Sequence, residues 1–197
     1  MKLDLDSKVR FETTPNPQTL RFSAPSLQSD RTADFKSPTE AQFAPLPKKL
    51  FGFPWCAGVF VGRDFMTVTK QDWVDWDIIA EPLANLIEEH LVSGQPVLPA
   101  AAPASSATHP TSQTNGSAPS PSASSVETSI RVLNEEIRPM VAQDGGDVVF
   151  AKYEDKVVYL HMQGSCAGCP SSTMTLKMGI ETRLKEAVPE IVEVVAI

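Results

Sequence analysis

The sequence predicts an α+β protein of two small domains joined by a disordered Pro/Ala/Ser linker. Three observations carry that prediction. Residues 96–125 hold six Pro, seven Ala and eight Ser and no charged side chain, so no apolar face large enough to offset ordering entropy can form there. On either side the apolar residues recur in short strand-like runs and in helical stripes. The chain as a whole is 42 % hydrophobic and 21 % charged, an ordinary globular mix. Residues 1–95 and 126–197 are therefore the folded units. A coil of the linker's length reaches about 30 Å, and proline extends it. The two units do not align, so there is no internal repeat.

In the first unit, Val9–Glu12 and Thr19–Ser23 read as strands around Thr14-Pro15-Asn16-Pro17. Each proline there pushes its predecessor out of the helical region. Pro38, between Ser37 and Glu40, resembles a capped helix start, and residues 45–51 read as a second short helical piece. Trp55–Val61 and Phe65–Lys70 form a β-hairpin through Gly62-Arg63-Asp64. Asp75 or Asp77 caps a helix running to Val92 and stopped near Gly94, with Ile79, Leu83, Leu86, Ile87 and Leu91 at helical spacing.

The second unit reads α-β-β-α-β. Ser124-Ser125-Val126-Glu127 has the pattern of a capping box. Ile130, Leu133, Ile137, Met140 and Val141 mark one helix face, and Gly145 and Gly146 end the helix. Val148–Glu154 and Val157–Gln163 flank Asp155-Lys156 as a hairpin. Pro170 opens a second helix with Thr173, Leu176, Ile180, Leu184 and Val188 on one face. Ile191–Ile197 is a last β-branched run. Reached through a helix, that strand belongs parallel to a neighbour, giving a three-stranded mixed sheet.

Charge excludes several functions. With 24 acids and 17 bases the net charge is −7, which argues against coating nucleic acid or anionic membrane. No run reaches the roughly 18 apolar residues of a membrane span. The start, Met1-Lys2-Leu3-Asp4-Leu5-Asp6, is neither a secretory signal nor an Arg-rich transit peptide. Three cysteines, Cys56, Cys166 and Cys169, are no disulfide framework. A bacterial-type cytoplasmic location is the expectation.

The chemistry concentrates in Cys166-Ala167-Gly168-Cys169. Two intervening residues let both sulfurs face one centre, and Gly168 lets the backbone bend between them. The loop runs into the helix that opens at Pro170. A helix N-terminus favours thiolate, the form that binds metals or attacks disulfides, and the loop is expected to be exposed. Cys166 and Cys169 are thus the candidate ligands. A structural zinc or an iron–sulfur cluster wants four. Cys56 lies in an apolar strand and reads as a core residue. His90, His109 and His161 read as incidental. Two chains about a two-fold axis would supply 2 + 2 = 4 thiolates. Three readings stand: an iron–sulfur site, a structural zinc-bridged dimer, and a thiol–disulfide oxidoreductase using the same pair.

Other motifs have plainer explanations. Asp144-Gly145-Gly146-Asp147 reads as a helix end rather than a cation site. Asp72, Asp75 and Asp77 lack the glycine and distal glutamate of a calcium loop. Trp73 and Trp76, three apart, include at least one core anchor. There is no phosphate loop, dinucleotide fingerprint, HExxH or nucleophile with a paired base. An enzyme with turnover of its own is not expected.

At these residues the chain resembles the NifU-like family, specifically its two-domain Nfu iron–sulfur carriers. Residues 126–197 carry Glu135-Glu136-Ile137-Arg138-Pro139, Asp144-Gly145-Gly146-Asp147 and Gly164-Ser165-Cys166-Ala167-Gly168-Cys169-Pro170-Ser171-Ser172. Residues 9–95 carry Thr14-Pro15-Asn16-Pro17 with Leu20 and Phe22, then Gly62-Arg63-Asp64-Phe65 through Val68-Thr69-Lys70, and Trp76-Asp77. The resemblance implies a carrier that accepts a [4Fe-4S] cluster from upstream assembly proteins and passes it to apo iron–sulfur clients, with Cys166 and Cys169 as the cluster-binding pair of a homodimer. A [2Fe-2S] cluster or zinc is the alternative cargo. It also implies a client-engaging accessory role for the first unit. Where the family often has Gly-Val, this chain has Trp55-Cys56, and its linker is longer.

Overall fold

The structure, a computed structural model, describes residues 8–98, 121–167 and 170–197, the side chains of 121–124 and 170–176 apart. Most of the predicted linker therefore lies outside the described residues. Two α+β units are seen. The first holds strands β1 (Arg10–Thr13), β2 (Thr19–Ser23), β3 (Ala33–Phe35), β4 (Cys56–Val61) and β5 (Phe65–Lys70), with helices α1 (Pro45–Leu50) and α2 (Trp76–Val92). Its sheet has the order β1-β2-β5-β4-β3, antiparallel throughout.

One face of this sheet makes the core. Strand side chains alternate, so Leu20, Phe22, Val59, Val61, Met66 and Val68 turn inward. They pack with Leu46, Leu50, Leu83 and Ile87 from the helices. Val97 is buried in this core and Leu98 packs against it, so packing continues past the compositional boundary at residue 96. The capped start after Ser37 becomes a single 3-10 turn, Glu40–Phe43. The Glu40 side chain accepts from the Lys36 amide at 2.7 Å. Strand β3 is unforeseen; three residues are too few to display a period.

The second unit holds α3 (Pro121–Val132), a π turn (Leu133–Ile137), α4 (Arg138–Gln143), β6 (Gly146–Glu154), β7 (Val157–Gly164), α5 (Pro170–Ala187) and β8 (Glu193–Ala196). Helix α3 begins inside the stretch assigned to the linker. Strands β6 and β7 are antiparallel and β7 and β8 parallel, the mixed three-stranded sheet the sequence predicts. Asp155 and Lys156, at φ 50° and 65°, make the tight turn that matches strand twist. The core joins Leu133, Ile137 and Val141 to Val148, Val158, Leu160, Ile180 and Leu184. Met140, expected on the buried face, is 39 % exposed. A π turn takes more residues per turn than an α-helix, and this shifts the stripe beyond Ile137.

Candidate functional site

Cys166 sits on the loop between β7 and α5. Gly164, at φ +64°, turns the chain out of β7. The Ala167 amide then donates to the Gly164 carbonyl at 3.1 Å, closing a turn around Cys166. A second loop braces this one. The Ser165 hydroxyl donates to the Asp144 carbonyl at 2.5 Å, and the Ser165 amide donates to the Gly145 carbonyl at 3.2 Å. Gly145, at φ +79°, ends the α4 helix as expected. Gly146 does something else: it is the first residue of β6, and a Cβ there would collide with Cys166 Sγ. The glycine pair thus ends a helix and opens a socket for a thiol.

Asp147 is no cation ligand. Arg138 Nε and Nη2 donate to its two carboxylate oxygens at 2.7 and 2.6 Å, and the Val148 amide donates to Oδ1 at 2.8 Å. A two-pronged pair of this kind fixes orientation as well as distance. It ties α4 to the start of β6, directly behind the socket.

Cys166 is 4 % exposed, so the expectation of an exposed, thiolate-favouring loop is corrected. Burial pushes its pKa up to about 11; the Ser165 hydroxyl pulls it down, and Asp144 and Asp147 push it further up. In this arrangement the group is a thiol at neutral pH. Gly168 and Cys169 lie outside the described residues, as does His109.

The remaining candidates are dispersed. Cys56 is half-buried against the first unit's core, and burial raises its pKa to about 12. His90 is fully buried on α2, with Nε2 3.3 Å from the Pro96 carbonyl. His161 Nδ1 lies 3.3 Å from the Ile197 carbonyl. Among the described residues no three His, Cys, Asp or Glu side chains converge on a metal position. Trp76 packs against the first core and its Nε1 donates to the Pro17 carbonyl at 3.0 Å, while Trp73 is 67 % exposed. Trp55 stacks on Phe53 with centroids 5.2 Å apart.

The first unit reaches the cysteine loop. Asn16 Nδ2 lies 3.5 Å from the Ser165 carbonyl. Phe60 of β4 packs at Gly164, where a Cβ would stand 2.9 Å from its ring. The Gly164 amide lies toward the Asp34 carboxylate of β3 and pulls its pKa down, against the larger upward push of burial. A Cβ at Gly145 would come 2.8 Å from Thr67 and 3.3 Å from Thr14.

A small sheet with helices on one face, followed by an α-β-β-α-β unit carrying a thiol on the loop before its second helix, describes a two-domain NifU-like protein. Residues 9–94 match the family model described as scaffold protein Nfu/NifU N terminal, and residues 130–195 match the NifU-like domain. The chain is 37 % identical over 187 residues to the human NFU1 iron-sulfur cluster scaffold homolog, mitochondrial, covering 93 % of this chain and 69 % of that protein. The protein of the same name from Drosophila sechellia is 37 % identical over 185 residues, covering 93 % and 62 %. A solution structure of a NifU-like protein from Saccharomyces cerevisiae aligns with 50 % of this chain and 91 % of its own, at 23 % identity and a TM-score of 0.43. The chain belongs to the Nfu family. It spans 62 % of the length of the Drosophila relative. The human and Drosophila relatives are named as mitochondrial, which departs from the cytoplasmic expectation. No helix among the described residues is long and apolar enough to cross a membrane.

Proposed function

We propose that this chain is an iron–sulfur cluster carrier. It binds a [4Fe-4S] cluster between two copies through Cys166 and Cys169 of each and delivers it to apo-proteins by ligand exchange. The observation that carries the reading is the seat of Cys166. Its sulfur occupies a socket that Gly146 keeps open, on the loop entering α5. That loop is braced by Ser165 and backed by the Arg138–Asp147 pair. Such a socket positions a sulfur but supplies few ligands, and pairing two chains makes up the four.

Loading displaces a proton from Cys166, so cluster uptake is coupled to deprotonation. Delivery follows from the sharing: separation of the copies removes half the ligands, and a client's thiolates take their places stepwise. The first unit engages clients and upstream assembly proteins; the chain has no turnover of its own. A reducing compartment suits this chemistry, and the relatives' names favour an organelle matrix over the cytoplasm. The oxidoreductase reading is weakened by the thiol itself. An attacking cysteine needs a lowered pKa, and burial moves Cys166 the other way.

The test is transfer. The full chain is reconstituted anaerobically with iron and sulfide, freed of excess reagent, and mixed with an apo-enzyme that requires a [4Fe-4S] cluster. Recovery of that enzyme's activity with the parent, and none with Cys166→Ser or Cys169→Ser, is the expected result. A parent that is purified with zinc, takes up no iron or sulfide and restores no activity overturns the carrier reading in favour of structural zinc.

A further inference from the structure

The first unit's sheet has a second face, and that face is occupied. One row of paired residues crosses all five strands: Glu12 opposite Arg21, Arg21 opposite Thr67, Thr67 opposite Phe60, and Phe60 opposite Asp34. These side chains turn away from α1 and α2. In an antiparallel sheet covered on one side, such a row meets water. Here Phe60 and Thr67 are each 1 % exposed, although neither belongs to the core cluster of either unit.

Their cover is the loop pair that holds Cys166. Gly164 lies against Phe60, and Gly145 lies against Thr67, Thr14 and the stem of Arg21. Both glycines have positive φ and present bare backbone to the sheet. The Gly164 amide and the Ser165 carbonyl point to Asp34 and Asn16. The contact therefore falls on residues one and two positions from Cys166.

The fit is close in shape and poor in polarity. Among the described residues, Arg21 Nε and Thr67 Oγ1 are buried with no hydrogen-bond partner. Unmade bonds of buried polar groups weigh against the state that buries them. Both atoms lie in the row that meets the loop, and separating the units gives them water. A permanent interface satisfies such groups; a reversible one tolerates them.

We propose that the outer face of the first sheet is a self-docking surface that closes over the Gly164–Cys166 loop and must lift away before that loop meets a second copy. The inhibitory consequence rests on the carrier reading; the closed contact does not. Closure then restricts cluster uptake and pairing, and opening of the units licenses them.

The experiment uses the cluster-free full chain with Phe60→Ala and Thr67→Lys, both on the outer face and outside the first core. Circular dichroism confirms that each variant is folded. In the parent, the Gly164 amide exchanges slowly with deuterium. In both variants its exchange, and alkylation of Cys166 by iodoacetamide read by peptide mass, speed up by about tenfold as an opening equilibrium is shifted. A Gly164 amide that exchanges in the parent at the rate of an unstructured peptide overturns the closed contact without any variant. Variants that match the parent in both readouts also overturn it. Anaerobic loading with iron and sulfide then tests the consequence: faster uptake in the variants supports it, and uptake at the parent rate overturns it. No uptake by any of the three overturns the carrier reading alone, with exchange and alkylation still deciding the contact.

Discussion

Gly146 lies where its side chain, if it had one, would occupy the position of Cys166 Sγ. The two residues are twenty positions apart and meet because β6 and β7 pair Gly146 with Gly164. Gly146→Ala is therefore expected to expel the thiol from its socket. Overpacking of this kind costs about 1–3 kcal/mol. The expected result is a lower thermal midpoint together with lost iron retention after anaerobic loading. An alanine variant that melts and loads like the parent would show that the socket is dispensable.

The Arg138–Asp147 pair predicts a stability loss of a different kind. Asp147 is 7 % exposed at its side chain and Arg138 26 %. Asp147→Ala leaves the guanidinium half-buried with one charge unmatched, at a cost of about 2 kcal/mol after allowing for water at the arginine. Urea denaturation checks this. The midpoint is expected to fall with the slope unchanged. Arg138→Met, which fills similar volume without a charge but strands Asp147, is expected to cost a similar amount.

Much of this was legible beforehand, and the boundary is instructive. Both hairpins, the long helices and the α-β-β-α-β order are written in local periodicity and turn residues. Cys166 and Cys169 stand out as a candidate pair by their spacing alone, but that spacing serves metals, clusters and redox exchange alike, so it names residues without naming their chemistry. What escaped depends on residues distant in sequence. Gly146 looks like half of a helix end, because its true neighbour, Cys166, arrives only through strand pairing. Arg138 and Asp147 carry opposite charges, yet nothing local says that they meet. Phe60 looks like any strand aromatic; its burial depends on Gly164, more than a hundred residues away. Strand β3 and the π turn are too short to register in a hydrophobic period. The thiolate expectation for Cys166 failed because helix polarity was visible and burial was not.

The pKa of Cys166, pushed up to about 11 by burial, sets a pH dependence. The folded value lies above the ordinary 9.0. Burial of the neutral thiol thus adds stability that is fully present below about pH 9 and is lost as pH rises through about 11. Alkylation of Cys166 in the cluster-free chain is expected to lag behind a model thiol at pH 8 and to climb as pH approaches 11. Residue-resolved mass spectrometry separates it from Cys56, whose value of about 12 places it later still. Alkylation of Cys166 as fast as the model thiol at pH 8 contradicts the buried seat.

Asp34 gives the opposite end of the scale. Burial raises its carboxyl to about 6, against the pull of Lys36, with Glu40 raising it further and the Gly164 amide lowering it. Its contribution to the folded state is full below about pH 4 and disappears as pH rises through about 6. At pH 7 the buried carboxylate costs about 3 kcal/mol by this shift. Asp34→Asn keeps an acceptor for Gly164 and removes the charge. It is expected to raise the thermal midpoint at pH 7 and to leave it near the parent's at pH 4. A midpoint lowered at pH 7 would show that the carboxylate is favourable where it lies.

The central claim is that two copies share one cluster through Cys166 and Cys169. Iron, acid-labile sulfide and zinc, measured on each size-exclusion fraction of anaerobically purified full chain, test it most directly. About two irons and two sulfides per chain are expected, confined to the dimer fraction and absent from Cys166→Ser and Cys169→Ser, as one four-iron cluster per pair requires. Roughly half a zinc per chain without sulfide, or a metal-free monomer that resists reconstitution, would contradict it.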